Sequence, residues 1–105
     1  MEKHVPHYSL TDVQAKVAAA GIAAFTKTAI DGGRAMGLKS AEMLQVVLNL
    51  NRKNFYKSMT TYADSKVWQD VYHAEVETSI GPNTAYIKLT IFSDDKPPVV
   101  QFKEK

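Results

Sequence analysis

The apolar residues of this 105-residue chain change their period near Val67, and that change limits what it can fold into. Beyond Val67 they fall at alternate positions. "AYIKLTIF" puts Ala85, Ile87, Leu89 and Ile91 on one side, "PVVQFK" puts Val100 and Phe102 together, and "VWQDVYHAEVET" alternates less regularly. "GPN" and "SDDKPP" have turn chemistry, so three strands in an antiparallel meander are expected.

Upstream the spacing is helical. In "SLTDVQAKVAAAG", Leu10, Val13 and Val17 share a face, Ser9 suits the N-cap, Asp12 lies near the positive end and Gly21 suits the stop. "TKTAIDGGRAMG" reads as a second helix weakened by Gly32 and Gly33. "SAEMLQVVLNL" reads as a third, capped by Ser40, with Met43, Leu44, Val47 and Leu48 as its stripe. A short helical turn is expected around Asn51 to Tyr56. Helices first and hairpins later define the fold class α+β, with N-terminal helices packed on one face of a C-terminal antiparallel sheet. The length suits a single domain, residues 1–105.

Alternation then sorts the strand residues. Trp68, Tyr72, Ala74, Val76, Ile87, Leu89, Ile91, Val100 and Phe102 should face the helices. Gln69, His73, Glu75, Glu77, Tyr86, Lys88, Thr90, Gln101 and Lys103 should face outward. Pairing Ile91 with Val100 would set Lys88 opposite Lys103, a like-charge contact that costs stability unless an anion lies between. Net charge conceals this cluster: thirteen basic and eleven acidic residues leave +2, spread evenly over the two halves. With no cysteine, the chain has no disulfide and no thiolate metal site. No apolar run approaches membrane-spanning length and "MEKHVPHYS" lacks a signal-peptide core, so a cytoplasmic protein is expected.

Lysines on a polar sheet face are ordinarily plain surface charges, and Tyr56, Tyr62 and Tyr72 could equally rim the core. The sharper reading is RNA chemistry. Cations meet phosphates, π-faces meet unstacked bases, and cleavage by the neighbouring 2′-hydroxyl needs a base, an acid and charge stabilisation, with no metal or other cofactor. Other constellations are weaker. His4 and His7 are spaced as H-x-x-H in a Pro-containing tail without a carboxylate partner. Ser58, His73 and Asp70 lack an elbow or oxyanion motif. "GGRAMG" lacks the lysine and the setting of a phosphate loop.

The stretches "MEK…PH", "FYKSMTTY" (55–62), "WQDVY" (68–72) and the terminal "FKEK" resemble the MqsR toxins, the motility quorum-sensing regulator family, over nearly the whole chain. The resemblance implies a RelE-like toxin fold and the toxin half of a type II toxin–antitoxin pair. It also implies a ribosome-independent, metal-independent mRNA endoribonuclease cutting at GC-containing sites, typically GCU. The implied antitoxin joins a zinc-binding N-terminal domain to a helix-turn-helix domain, and operator DNA would be met only through it. The matching positions for the catalytic residues are Lys57, Gln69, Tyr86 and Lys103. Tyr56, His7, His73 and Lys88 are the further candidates for RNA contact, and His7 and His73 also for proton transfer. The alternatives are a non-catalytic RNA- or protein-binding domain of the same fold, and a DNA co-regulator acting only with its antitoxin.

Overall fold

The computed structural model describes residues 1–105. In chain order the elements are β1 (Glu2–Lys3), α1 (Leu10–Ala20), a 3-10 turn (Gly21–Ala24), α2 (Lys27–Ala35), α3 (Ser40–Leu48), a second 3-10 turn (Arg52–Asn54), β2 (Phe55–Thr60), β3 (Trp68–Thr78), β4 (Gly81–Thr90) and β5 (Val99–Glu104). The strands form one antiparallel sheet in the order β1-β2-β3-β4-β5, with the helices packed against it, as the change of period predicts. Two strands go beyond the three expected. β1 is only two residues long, and β2 begins where a helical turn was expected to end.

Local signals explain the helices. Ser9 caps α1 by accepting from the Asp12 N–H, and Gly21 ends it at φ 64°, a left-handed conformation that favours glycine. Thr26 caps α2 by accepting from the Ala29 N–H at 3.0 Å. Ser40 is the first residue inside α3 rather than its cap. The cap position belongs to Lys39, whose backbone N–H donates to Glu42 Oε1 at 2.8 Å.

Val13, Val17, Ala29, Met43 and Val47 from the helices close over Tyr72, Ala74, Ala85, Ile87, Leu89, Val100 and Phe102 from the sheet, and all are buried. Val76 and Ile91 pack partly buried against the same core. Trp68 shares their parity but lies at the sheet's far end, where His7 stacks on it at 5.3 Å. Of the tyrosines expected at the rim, Tyr72 is fully buried with its phenol pushed up to about 12 by burial, Tyr56 is half-exposed, and Tyr62 lies wholly in solvent. Gly32 and Gly33 are packing devices in α2. A Cβ on Gly32 would come 2.5 Å from the Phe102 carbonyl oxygen, and one on Gly33 would overlap Met43 Sδ. Close approach of α2 covers the β5 edge, where Phe25 bridges Val100 and the Thr26 N–H donates to the Val100 carbonyl.

Two turn expectations change. The β3–β4 hairpin turns at Ser79-Ile80, two residues before "GPN". Gly81 takes φ 114°, and Thr78 Oγ1 donates to the Gly81 carbonyl. Pro82 is tolerated in the strand because β5 ends opposite Ala85, leaving Pro82 with a neighbour on one side only. At the other hairpin Leu89, not Ile91, pairs with Val100. Lys103 therefore opposes Tyr86, and Lys88 opposes Gln101. The shift is two residues, so every side chain keeps its expected face.

Gly33→Ala forces Met43 out of a fully buried position between α2 and α3. The expected cost is about 1–3 kcal/mol, read as a lower urea midpoint with an unchanged m-value.

Candidate functional site

The outer face of the sheet is ordered by register into three cross-strand rows, about 7 Å apart given two residues of strand rise. The first row runs Glu2–Met59–Gln69–Thr90–Val99. The second runs Lys57–Val71–Lys88–Gln101. The third holds His73, Tyr86 and Lys103. A bulge in β2 completes it. Phe55 pairs with Tyr72 but Lys57 pairs with Val71, so Tyr56 is an extra residue. Its ring stacks on His73 at 4.4 Å, while Phe55 stays on the core side against Tyr72.

Tyr86 is the centre of the cluster. Lys103 Nζ lies 5.3 Å and Lys88 Nζ 5.9 Å from its ring centroid, and the His73 ring lies 5.4 Å away. Lys57 Nζ approaches the Tyr56 ring at 5.5 Å. Val71 is fully buried although it lies on this outer face, between Lys57 and Lys88 in the register. Methylene stems of long neighbours provide such cover while the ammoniums stay wet. An open cleft of about 410 Å³ adjoins β5, lined by Tyr86, Lys88, Gln101 and Lys103 with Thr26 and Thr28 beside them.

The electrostatics follow from crowding. Burial first, then the nearby Lys103 and Lys57 ammoniums, hold Lys88 below the ordinary lysine value. Lys57 is shifted the other way, chiefly because its ammonium donates to Glu2 Oε1. Burial first, then Lys105, lowers His73. The two buried side-chain polar atoms without a partner, His73 Nε2 and Thr90 Oγ1, both belong to this face.

The fold thus gathers Lys57, Tyr86 and Lys103 with Tyr56, His73 and Lys88, and sets the largely buried Gln69 one row away, opposite Thr90. Lys57 reaches the face from within β2. His7 stands apart. Its Nδ1 is 2.9 Å from Lys3 Nζ, and Lys3 pairs with Ser58, whose side chain lies on the helix side of the sheet with Asp70. Ser58 Oγ and Asp70 Oδ1 are 2.6 Å apart, but His73 is on the opposite face, so these three form no triad. Sequence reasoning missed two members. Glu2 sits in a segment without period, and Val71 is an apolar residue on the polar face, a local break in alternation visible in "WQDVY".

Asp70, buried on the core side, accepts from the backbone N–H groups of His7 (3.1 and 3.0 Å) and Tyr8 (2.9 Å) as well as from Ser58. It ties the N-terminal segment to the centre of the sheet and so fixes β1 and Glu2.

A family described as the motility quorum-sensing regulator, toxin of MqsA, matches residues 5–104, and the chain belongs to that family. It is 39% identical over 105 residues, the full length of both chains, to the mRNA interferase toxin MqsR of Escherichia coli (strain K12).

Two outcomes follow from the site's construction. Asp70→Ala leaves the His7 and Tyr8 N–H groups unpaired and Ser58 with only its long bond to the Gln69 carbonyl, costs about 2–3 kcal/mol, and speeds hydrogen exchange at the His7 and Tyr8 amides. His7 and His73 both have folded values below the ordinary 6.5. The unfolded chain therefore binds more protons as pH falls through that value. Stability is full above it and declines below it. The urea midpoint should drop between about pH 7.5 and about pH 5.5, and less so in the double variant His7→Gln/His73→Gln.

Proposed function

We propose that the chain is the toxin of a type II toxin–antitoxin pair and acts as an mRNA interferase. In this reading it is an endoribonuclease of one domain that cuts mRNA without ribosome or metal at GC-containing sites, typically GCU. The observation that carries the reading is the crowding of lysines on one sheet face: Lys88 and Lys103 approach the Tyr86 ring, and the Lys103 and Lys57 ammoniums both help hold Lys88 below its ordinary value. Like charges brought together cost free energy, and a phosphodiester repays it by lying between them.

The ribose 2′-oxygen attacks the adjacent phosphorus, the bond to the 5′-oxygen breaks, and the products are a 2′,3′-cyclic phosphate and a 5′-hydroxyl. The Lys57 and Lys103 ammoniums stabilise the charge building on the phosphoryl oxygens. Tyr86, whose ring Lys88 and Lys103 approach, would use its hydroxyl to orient the phosphate or to protonate the leaving 5′-oxygen. Gln69 positions RNA through its amide. Tyr56 and His73 offer a stacked aromatic platform for an unstacked base, and Lys88 adds charge. His7, stacked on Trp68 beside Lys3, would meet RNA only where the strand passes the sheet's far edge.

The partner in this reading is an antitoxin with a zinc-binding N-terminal domain and a helix-turn-helix domain, through which alone the pair meets operator DNA. The setting is the cytoplasm. No helix is long and apolar enough to cross a membrane.

The purified chain, incubated with mRNA and EDTA, should cut at discrete sites, and Lys57→Ala or Lys103→Ala should slow cutting about 10²-fold or more. Cutting abolished by EDTA removes metal independence. Salt-sensitive RNA binding without cutting favours a non-catalytic binding domain. Operator binding by the antitoxin complex, with no growth arrest when the chain is expressed alone, favours a DNA co-regulator.

A further inference from the structure

Cleavage through a 2′-hydroxyl needs a proton acceptor beside that hydroxyl. The ammoniums of the outer face are donors only, and the Tyr86 hydroxyl is already assigned to the phosphate or the leaving oxygen. His73 has its ring stacked against Tyr56 and Tyr86 and its Nε2 buried, out of reach of a substrate hydroxyl. Three carboxylates lie on this face: Glu2, Glu75 and Glu77. Glu75 stands one row beyond His73 and Glu77 two rows, both on the side away from Lys57. Lys57 pairs with Val71, four residues before Glu75, which is about 13 Å of strand. Glu2 alone bonds a lysine of the cluster, Lys57.

Glu2 is also held in place. β1 pairs Glu2 with Met59 and Lys3 with Ser58. The Met1 ammonium donates to Thr60 Oγ1, and the Thr60 N–H donates to the Met1 carbonyl. On the other side of Glu2, the His7 and Tyr8 N–H groups donate to Asp70. A two-residue edge strand pinned on both sides presents a carboxylate that is half in solvent, with a side-chain exposure of 53%. Pinning of this kind is what a reacting group requires of its supports.

Given the nuclease reading above, on which this step rests, we propose that Glu2 is a catalytic residue, the general base that takes the 2′-hydroxyl proton. Lys57 and Glu2 then divide one nucleotide between them. The ammonium takes a non-bridging phosphoryl oxygen, and the carboxylate takes the hydroxyl on the neighbouring ribose carbon. The proton moves from the 2′-oxygen to a Glu2 Oε, the 2′-oxygen bonds to phosphorus, the bond from phosphorus to the 5′-oxygen breaks, and the leaving oxygen takes the proton of the Tyr86 hydroxyl. The Lys57 contact holds Glu2 below the usual carboxylate range, so the acceptor is ionised at neutral pH. RNA binding exchanges the Lys57–Glu2 bond for one to phosphate, and frees the carboxylate at the moment the hydroxyl arrives.

The test uses Glu2→Gln, which keeps the side chain's size and a hydrogen-bonding oxygen but removes its basicity. Two RNA oligomers serve as substrates: one normal, and one with sulfur in place of the leaving 5′-oxygen, which needs no protonation. Single-turnover cutting by Glu2→Gln should fall about 10²–10⁴-fold. Its deficit should persist on the sulfur substrate, whereas that of Tyr86→Phe should shrink. Affinity for a 2′-deoxy analogue should be unchanged or tighter, and the acid limb of the wild-type pH–rate profile should vanish. A Glu2→Gln rate equal to or above wild type, or a deficit that disappears on the sulfur substrate, overturns the assignment. If Lys57→Ala is crippled in the same assay, the nuclease reading survives that result. A wild-type chain that does not cut overturns both.

Discussion

The arrangement of the outer face depends on dry packing at the other. Tyr72, Ile87, Leu89, Val100 and Phe102 are buried beneath α1, α2 and α3, and their alternation fixes which residues point away. A one-residue slip in β5 would drive Lys103 into the core and Phe102 into water, exposing an aromatic side chain worth about 2–3 kcal/mol and burying an unpaired charge. The core therefore sets the parity of the site, although none of its residues belongs to the cluster.

Parity alone leaves even-numbered slips open. Moving β5 by two residues keeps every face and changes only who stands opposite whom. What selects the observed register is the far edge of β5, where Phe25 bridges Val100 and the Thr26 N–H donates to its carbonyl. Gly32 makes that contact sterically feasible by letting α2 approach the Phe102 carbonyl. The result is that Lys103 faces Tyr86, and the two lysines flank a phenol instead of each other. The bulge at Tyr56 has a comparable effect in β2, since it puts two consecutive side chains, Tyr56 and Lys57, on one face.

The site is built against stability. Burial and the nearby Lys103 and Lys57 ammoniums hold Lys88 below its ordinary value, and His73 Nε2 and Thr90 Oγ1 are buried without a protein partner. Buried Asp70 is fully supplied with donors, and the sheet's opposite face is close-packed. Strain of this kind, concentrated on one face and offset by the other, fits a surface shaped for an anionic ligand. It also fits the chain's membership of a toxin family.

The sequence by itself determined the fold class, the three helices and the sorting of side chains onto the two faces of the sheet. Helical and strand periods are local, and burial acts on them directly. The motifs shared with the toxin family also point to Lys57, Gln69, Tyr86 and Lys103 as the candidate site residues. Tertiary structure alone decided the strand status of "FYKSMT", the bulge, the partner of Lys103, the hairpin turn at Ser79-Ile80 and the arrival of Glu2 beside Lys57. Each of these joins residues far apart in the chain, or turns on a shift that alternation does not register. Glu2 and Lys57 are separated by 55 positions, and only the pinning of the N-terminal segment to Asp70 and Thr60 brings them together.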